Sequence, residues 1–172
     1  MRTTCAILIS LLLWGCAAAR KPLRFYDAAR GTTTFESPKV LVGNINMTSG
    51  LAGGQRVMMQ AFATCRGEGC APSVVEIAFF NDSSADLNLD YRRLRIIFDD
   101  ESREWEDTGR MGESPRSFVP RGEFIRVPLS RREFNDFASA REVEVEFGLT
   151  ATNIFRLSSE RRKPLRDLAA TF

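Results

Sequence analysis

The sequence predicts a mainly β protein, an antiparallel β-sandwich or barrel of about seven or eight strands with two short helices. Three observations support this fold class. Several short segments alternate apolar and polar residues, which is the period of a strand with one buried face. Glycine, proline and small polar residues separate these segments. Apolar residues at helical spacing occur near 131–139 and 164–171.

The composition is typical of a globular domain, because 44% of the 172 residues are hydrophobic and 27% are charged. A chain of this length buries enough surface to fold without a metal or many disulfides. Its formal charge is +2, which gives no electrostatic reason to expect a nucleic-acid partner. We therefore expect a single β-rich domain over residues 35–172.

The first half of this domain contains three predicted strands, at 39–47, 56–64 and 73–81. Residues 20–34 before it show no sustained periodicity and are predicted to be a tether with at most an edge segment. The glycine-rich segment 49–54 lacks the Lys-Ser or Lys-Thr of a phosphate-binding loop, so we interpret it as a turn.

A hairpin is predicted over 93–107, because Leu94, Ile96 and Phe98 occupy alternate positions before an acidic turn. Clustered carboxylates can bind calcium, yet their spacing here matches no EF-hand loop. A solvated hairpin tip is the favoured interpretation of these acids, which are Asp99, Asp100, Glu101, Glu104, Glu106 and Asp107.

The second half begins with a predicted strand at 123–129, after the polar connection 111–121. Ser130 and Glu133 have the spacing of a capping box and predict the start of the first helix. The buried stripe of this helix would contain Phe134, Phe137 and Ala138.

The strand at 142–147 is predicted to carry carboxylates on one face, since Glu142, Glu144 and Glu146 alternate with apolar residues. We expect this row to form cross-strand ion pairs with arginines of a neighbouring strand. The candidates are Arg93, Arg95 and Arg156. Residues 154–157 would return antiparallel, and the second helix would pack on the core through Leu165, Leu168, Ala169 and Phe172.

The N-terminus has the pattern of an exported protein. Arg2 precedes the apolar run 6–14, which has the length of a signal-peptide hydrophobic region and is too short to span a bilayer. The run ends in Leu13-Trp14-Gly15-Cys16, which resembles the lipobox of bacterial lipoproteins at Leu13, Gly15 and Cys16. The resemblance implies a signal peptide over 1–15, a lipidated Cys16 that anchors the chain in a membrane, and a tether over 16–34.

The residues after Cys16 bear on localisation. Ala17 follows Cys16, and by the sorting rule of enterobacterial lipoproteins this resemblance implies an outer-membrane protein that faces the periplasm. Ala17-Ala18-Ala19 also fits ordinary signal peptidase, which would cut before Arg20 and release a soluble periplasmic or secreted protein. Both alternatives place the domain outside the cytoplasm.

Cys65 and Cys70 are the pair that remains once Cys5 is assigned to the leader and Cys16 to the anchor. The short loop between them contains two glycines, which predicts a local disulfide in an oxidising compartment. A metal site would need ligands that neither histidine nor a second cysteine pair supplies. No metal and no cofactor are therefore expected.

Histidine is absent from the sequence, which removes His-dependent catalytic triads, His-ligated zinc and imidazole acid–base catalysis. The sequence also contains neither a G-x-S-x-G nor an S-x-x-K nucleophile motif. We therefore expect no enzymatic activity, and a domain that binds or supports a protein of the cell envelope. The alternatives are a module that binds or senses a small molecule, lipid or glycan, and a carboxylate-dependent enzyme.

Overall fold

Two antiparallel sheets and two short helices make up the described part of the chain, which comprises residues 21–45, 55–81, 93–106, 109–111, 123–148 and 153–172 of the computed structural model. In chain order, the elements are β1 (Leu23–Asp27), β2 (Thr32–Glu36), β3 (Val40–Ile45), β4 (Gln55–Arg66), β5 (Val74–Asn81), β6 (Arg93–Phe98), β7 (Glu101–Glu106), β8 (Gly109–Met111), β9 (Glu123–Ser130), α1 (Arg131–Ser139), β10 (Val143–Phe147), β11 (Asn153–Arg156) and α2 (Lys163–Ala169).

The larger sheet has seven strands in the order β1-β2-β4-β5-β9-β8, with β3 also paired to β4. The smaller sheet has four strands in the order β11-β10-β6-β7. Each described pairing is antiparallel. These two sheets confirm the predicted mainly β fold and show that it is a sandwich and not a barrel. None of the described helices is long and apolar enough to cross a membrane.

The described residues contain eleven strands, more than the sequence predicted. β1 and the first residues of β2 lie within 20–34, where a tether with at most an edge segment was predicted, so the larger sheet begins at Leu23. β1 is exposed on both faces, and β2 buries Thr33 beside Phe35, so neither strand shows a simple alternation of apolar and polar residues. Hydropathy periodicity depends on such alternation and therefore misses both strands.

The core lies between the sheets and follows the predicted two-residue period. Phe79 of the larger sheet meets Phe147 of the smaller one edge to face, with ring centroids 5.5 Å apart. At one end the helices cover the core, where Phe137 packs on Phe98 at 6.3 Å. Aromatic pairs of this geometry contribute about 0.5–1.5 kcal/mol beyond the area they bury. The predicted stripe of α1 is buried as expected, together with Leu165 and Leu168 of α2.

The two sheets approach each other closely at Gly43 in β3. A Cβ atom at this position would overlap the ring of Phe155 in β11. Arg161, which follows β11, donates from Nη1 to the carbonyl of Val42 at 3.2 Å, where the pairing register of β3 shifts. The absence of a side chain at Gly43 therefore allows β11 to pack against β3.

Arg162 is fully buried between the helices and donates to five backbone carbonyls. Nη1 donates to Phe137 O at 3.0 Å, and Nη2 donates to Ala140 O at 2.6 Å. The other acceptors are the carbonyls of Ala138, Arg141 and Leu157. Several of these groups belong to the end of α1, where the last carbonyls of a helix lack intrahelical partners and the dipole is negative.

Burial and the nearby Arg166 lower the pKa of Arg162, whereas the charge of Asp99 opposes them. No carboxylate of the described residues lies within ion-pair distance of this guanidinium. The carbonyls therefore replace the water that the cation loses on burial.

Replacing Arg162 with methionine should lower the free energy of unfolding by about 3–5 kcal/mol, because several buried carbonyls would lose their donors. Urea unfolding followed by circular dichroism measures this change. Arg132→Met is the matched control, since the Arg132 side chain is 89% exposed, and should change stability by less than about 1 kcal/mol. Equal midpoints for both variants would contradict the role given to Arg162.

The capping box predicted at the start of α1 is confirmed. Ser130 Oγ accepts from the Glu133 backbone N–H at 3.2 Å, and Glu133 Oε2 accepts from the Ser130 backbone N–H at 2.9 Å. Glu133 Oε1 also accepts from Arg103 Nε of β7 at 2.6 Å, which joins the helix to the smaller sheet. Hydrogen bonds from the Ser130 side chain and from Arg103 lower the pKa of Glu133 to about 2.

Because the pKa of Glu133 is lower in the folded state, its contribution to stability is present above pH 4.5 and is lost as the pH falls toward 2. Glu133→Gln should cost about 1–2 kcal/mol at pH 6, a modest value because Arg103 is 43% exposed and solvent screens the pair. Urea unfolding at pH 6, 4 and 2.5 should show that the difference in unfolding free energy between the two proteins decreases as the pH falls. A constant difference across the series would contradict the ionised capping box.

Candidate functional site

The predicted anchor lies outside the described residues, as do Leu13, Gly15, Cys16 and the whole leader 1–15. Lipidation therefore stays a prediction. Among the described residues, two surfaces deserve a functional interpretation: the disulfide loop with the hairpin that it contacts, and a charged groove on the smaller sheet.

The disulfide predicted between Cys65 and Cys70 is present, with an S–S distance of 2.01 Å and Cα atoms 5.9 Å apart. The loop that it closes contacts the β1–β2 hairpin through its backbone. Thr33 Oγ1 donates to the carbonyls of Gly67 and Glu68, and Arg24 Nη2 donates to Glu68 O at 2.6 Å. The disulfide loop therefore holds the N-terminal hairpin in place.

Removing the disulfide by Cys65→Ser with Cys70→Ser should destabilise the protein by about 2 kcal/mol, because only a short loop is closed. The effect should concentrate on the hairpin. Hydrogen exchange followed by mass spectrometry should show faster exchange over 23–36 and little change over α1, measured under native conditions. Uniformly faster exchange in both regions would contradict the local role of the disulfide loop.

A groove with a volume of about 480 Å³ lies where the ends of β6, β10 and β11 meet the residues that follow α1. Its lining combines charged side chains, most of them exposed, with apolar side chains, most of them buried. The lining residues are Ile97, Asp99, Arg141, Glu142, Val143, Glu144, Arg156, Leu157 and Ser158.

Asp99 holds one wall of this groove. Its backbone is in the left-handed region at φ 49°, which aspartate tolerates better than most residues. Asp99 Oδ1 accepts from the backbone N–H groups of Arg141 and Glu142 at 2.9 and 3.0 Å. The Asp99 N–H donates to Glu142 O at 3.0 Å. Because Arg162 binds the Arg141 carbonyl from the interior, this wall is fixed from both sides.

The predicted pairing of the carboxylate row is confirmed at two positions. Glu144 Oε2 lies 3.0 Å from Arg156 Nε, and Glu146 Oε2 lies 3.6 Å from Arg95 Nη1. Arg156 is 88% exposed and Glu144 is 24% exposed, so the arginine projects from the rim of the groove.

Two residues that were expected in these cross-strand ion pairs, Arg93 and Glu142, make other contacts. Arg93 pairs with Glu104 on β7 at 2.7 Å, and this interaction lowers the pKa of Glu104. Glu142 precedes β10 and contributes its backbone to the contact with Asp99, while its side chain is exposed at the groove.

The acidic residues predicted at the tip of the hairpin do not form a metal site among the described residues. Asp99, Asp100 and Glu101 line a second, open cavity of about 330 Å³, whose other walls include Asp136 and Ser139. Within the described ranges, no three cysteine, aspartate or glutamate residues come together as a metal site requires. Asp107 lies outside the described residues.

The groove itself was not predicted from the sequence. Glu144 and Arg156 were expected among the residues that form cross-strand ion pairs, whereas Arg141, Leu157 and Ser158 carry no motif. The groove forms because the end of β6, with Ile97 and Asp99, packs beside a later part of the chain that contributes 141–144 and 156–158. No periodicity or motif within a single segment therefore indicates the groove.

No family model, curated protein or solved structure matches the chain.

Proposed function

We propose that this protein is an exported lipoprotein, anchored through Cys16, whose sandwich is a binding domain and not an enzyme. The groove lined by Asp99, Arg141, Glu142, Glu144 and Arg156 is its binding surface, and its partner is a protein of the cell envelope. The observation that carries this proposal is the groove wall, which Asp99 and Arg162 hold rigid from opposite sides.

Two features support export and anchoring. Leu13, Gly15 and Cys16 carry the lipobox resemblance. The domain closes the Cys65–Cys70 disulfide, and such bonds persist in oxidising compartments and are rare in the cytosol.

The geometry of the groove favours protein recognition. Binding to a surface that is already ordered loses less conformational entropy than binding to a mobile one. Arginine is enriched at protein interfaces, and Arg156 stands at the rim beside the exposed Arg141. Charges of both signs suit a partner that carries carboxylates opposite these arginines and a basic group opposite Glu142.

Two carboxylates of the groove, those of Asp99 and Glu144, are already engaged in ways that do not favour acid–base catalysis. Asp99 Oδ1 accepts two backbone hydrogen bonds, and Glu144 binds Arg156. A general acid or base needs a carboxyl group that is free to exchange a proton with a substrate. This arrangement supports a binding function over carboxylate-dependent hydrolysis.

A small-molecule ligand is the second candidate function. The groove volume of about 480 Å³ falls within the range of ligand sites. Its apolar lining, from Ile97, Val143 and Leu157, lies beside two arginines. A small amphipathic anion would suit this combination.

The anchor is tested by mass spectrometry of the mature N-terminus. The expected product begins at Cys16 and carries acyl chains, and Cys16→Ser should abolish this product. A mature chain that begins at Arg20 in the unaltered protein would contradict the anchor.

The groove is tested by crosslinking in intact envelopes followed by affinity capture and identification of the captured protein. Arg156→Glu should reduce recovery of that protein about tenfold, because one interfacial charge is reversed. Arg132→Glu is the matched control, since Arg132 is 89% exposed, is also ion-paired and lies on α1. Equal recovery with both variants, or capture of this protein alone, would contradict the proposed site.

A further inference from the structure

β1 presents two large apolar side chains to solvent. Leu23 is 57% exposed and Phe25 is 58% exposed, the two highest exposures among the large hydrophobic side chains that the structure describes as exposed. They alternate with Arg24 along the strand and therefore project from the same face of the sheet. Their cross-strand neighbours, Glu36 and Thr34, do not cover them.

The opposite face of β1 is fixed to the domain, so these side chains cannot turn inward. The Arg24 guanidinium lies 5.6 Å from the centre of the Phe35 ring and donates to the Glu68 carbonyl in the disulfide loop. A one-residue slip would break these contacts and move Arg24 to the face that Leu23 and Phe25 now occupy. Leu23 and Phe25 are thus held outward.

The position of β1 along the chain indicates what covers this pair. Leu23 follows Cys16 by seven residues, and even a fully extended chain of that length reaches only about 25 Å. The polar layer of a bilayer is several ångströms thick, so a lipidated Cys16 would keep β1 close to the membrane. Lys21 is exposed just before the strand, and Arg30 is 82% exposed in the turn after it.

We propose that β1 lies on the bilayer that holds the Cys16 acyl chains, with Leu23 and Phe25 inserted between lipid headgroups. Lys21 and Arg30 lie beside lipid phosphates at the same surface. This inference rests on the anchor proposed above and adds a second attachment point. Two points restrict rotation of the domain about its tether and give it a defined orientation on the membrane.

A lipid surface suits this face better than a protein strand. A strand that pairs with the edge of β1 that no described strand occupies uses its backbone groups and lies beside β1 in the sheet. Leu23 and Phe25 project perpendicular to the sheet and would stay exposed in such a complex. A bilayer covers both side chains at once.

The first experiment uses the lipidated protein, reconstituted in vesicles that contain phosphatidylglycerol and brominated phosphatidylcholine. Phe25→Trp places a fluorophore on the proposed contact, and Ile154→Trp is the matched control because Ile154 is 48% exposed on the smaller sheet. Bromine should quench the Phe25→Trp variant well beyond the control. Equal quenching of the two variants would overturn the proposal.

The second experiment separates this contact from lipidation. Cys16→Ser removes the acyl chains, and residues 16–172 with this change, which lack the apolar leader, are sedimented with phosphatidylglycerol vesicles. Adding Leu23→Ser with Phe25→Ser should weaken binding about tenfold, since interfacial affinity follows the buried apolar area. The matched control adds Ile154→Ser, which replaces a residue that is 48% exposed on the smaller sheet, and should bind as the parent does.

The outcomes of these experiments distinguish the two proposals. Loss of binding in the β1 variant alone supports the membrane contact, even if the mature N-terminus proves to be unlipidated. Equal binding by the β1 variant and its control overturns the contact, whatever the state of Cys16. Self-association that depends on Leu23 and Phe25, without vesicle binding, would also overturn it and assign the pair to a second copy of the chain.

Discussion

The buried guanidinium of Arg162 is the interaction on which the helical end of the sandwich depends. Burying a cation costs several kcal/mol unless hydrogen bonds replace its water. Arg162 obtains them from carbonyls at the end of α1 and just beyond it, where the helix dipole is negative. Arg162 is also the N-cap residue of α2. Its side chain therefore joins both helices to the loop that leads into β10.

The groove depends on the same contact. Arg162 holds the Arg141 carbonyl from the interior, and Asp99 holds the backbone N–H of Arg141 from the turn between β6 and β7. The larger sheet has a comparable arrangement, in which the disulfide loop holds the β1–β2 hairpin through Arg24 and Thr33. Both surfaces with proposed functions are thus short segments immobilised by contacts from distant parts of the chain, and such preorganisation favours binding.

Features that depend on local sequence were predictable. The capping box of Ser130 and Glu133 defines the start of α1, because both hydrogen bonds form within four residues. The inward faces of β6 and β10 follow from their two-residue period. The disulfide followed from the short glycine-containing loop. β1 and β2 were missed, because a buried threonine and exposed aromatic side chains hide the alternation on which strand prediction relies.

The sequence by itself determined the mainly β class, both helices, the pairing of the glutamate row with arginines of neighbouring strands and the cysteine pair, since each depends on spacing within or between segments. Only the tertiary structure decided which arginine is buried. Arg161 and Arg162 are neighbours of identical chemistry, yet one is exposed and the other has no solvent contact. Four of the five carbonyls that bind Arg162 lie more than twenty residues away, at the end of α1 and just after it, and they converge on Arg162 only after the chain has folded.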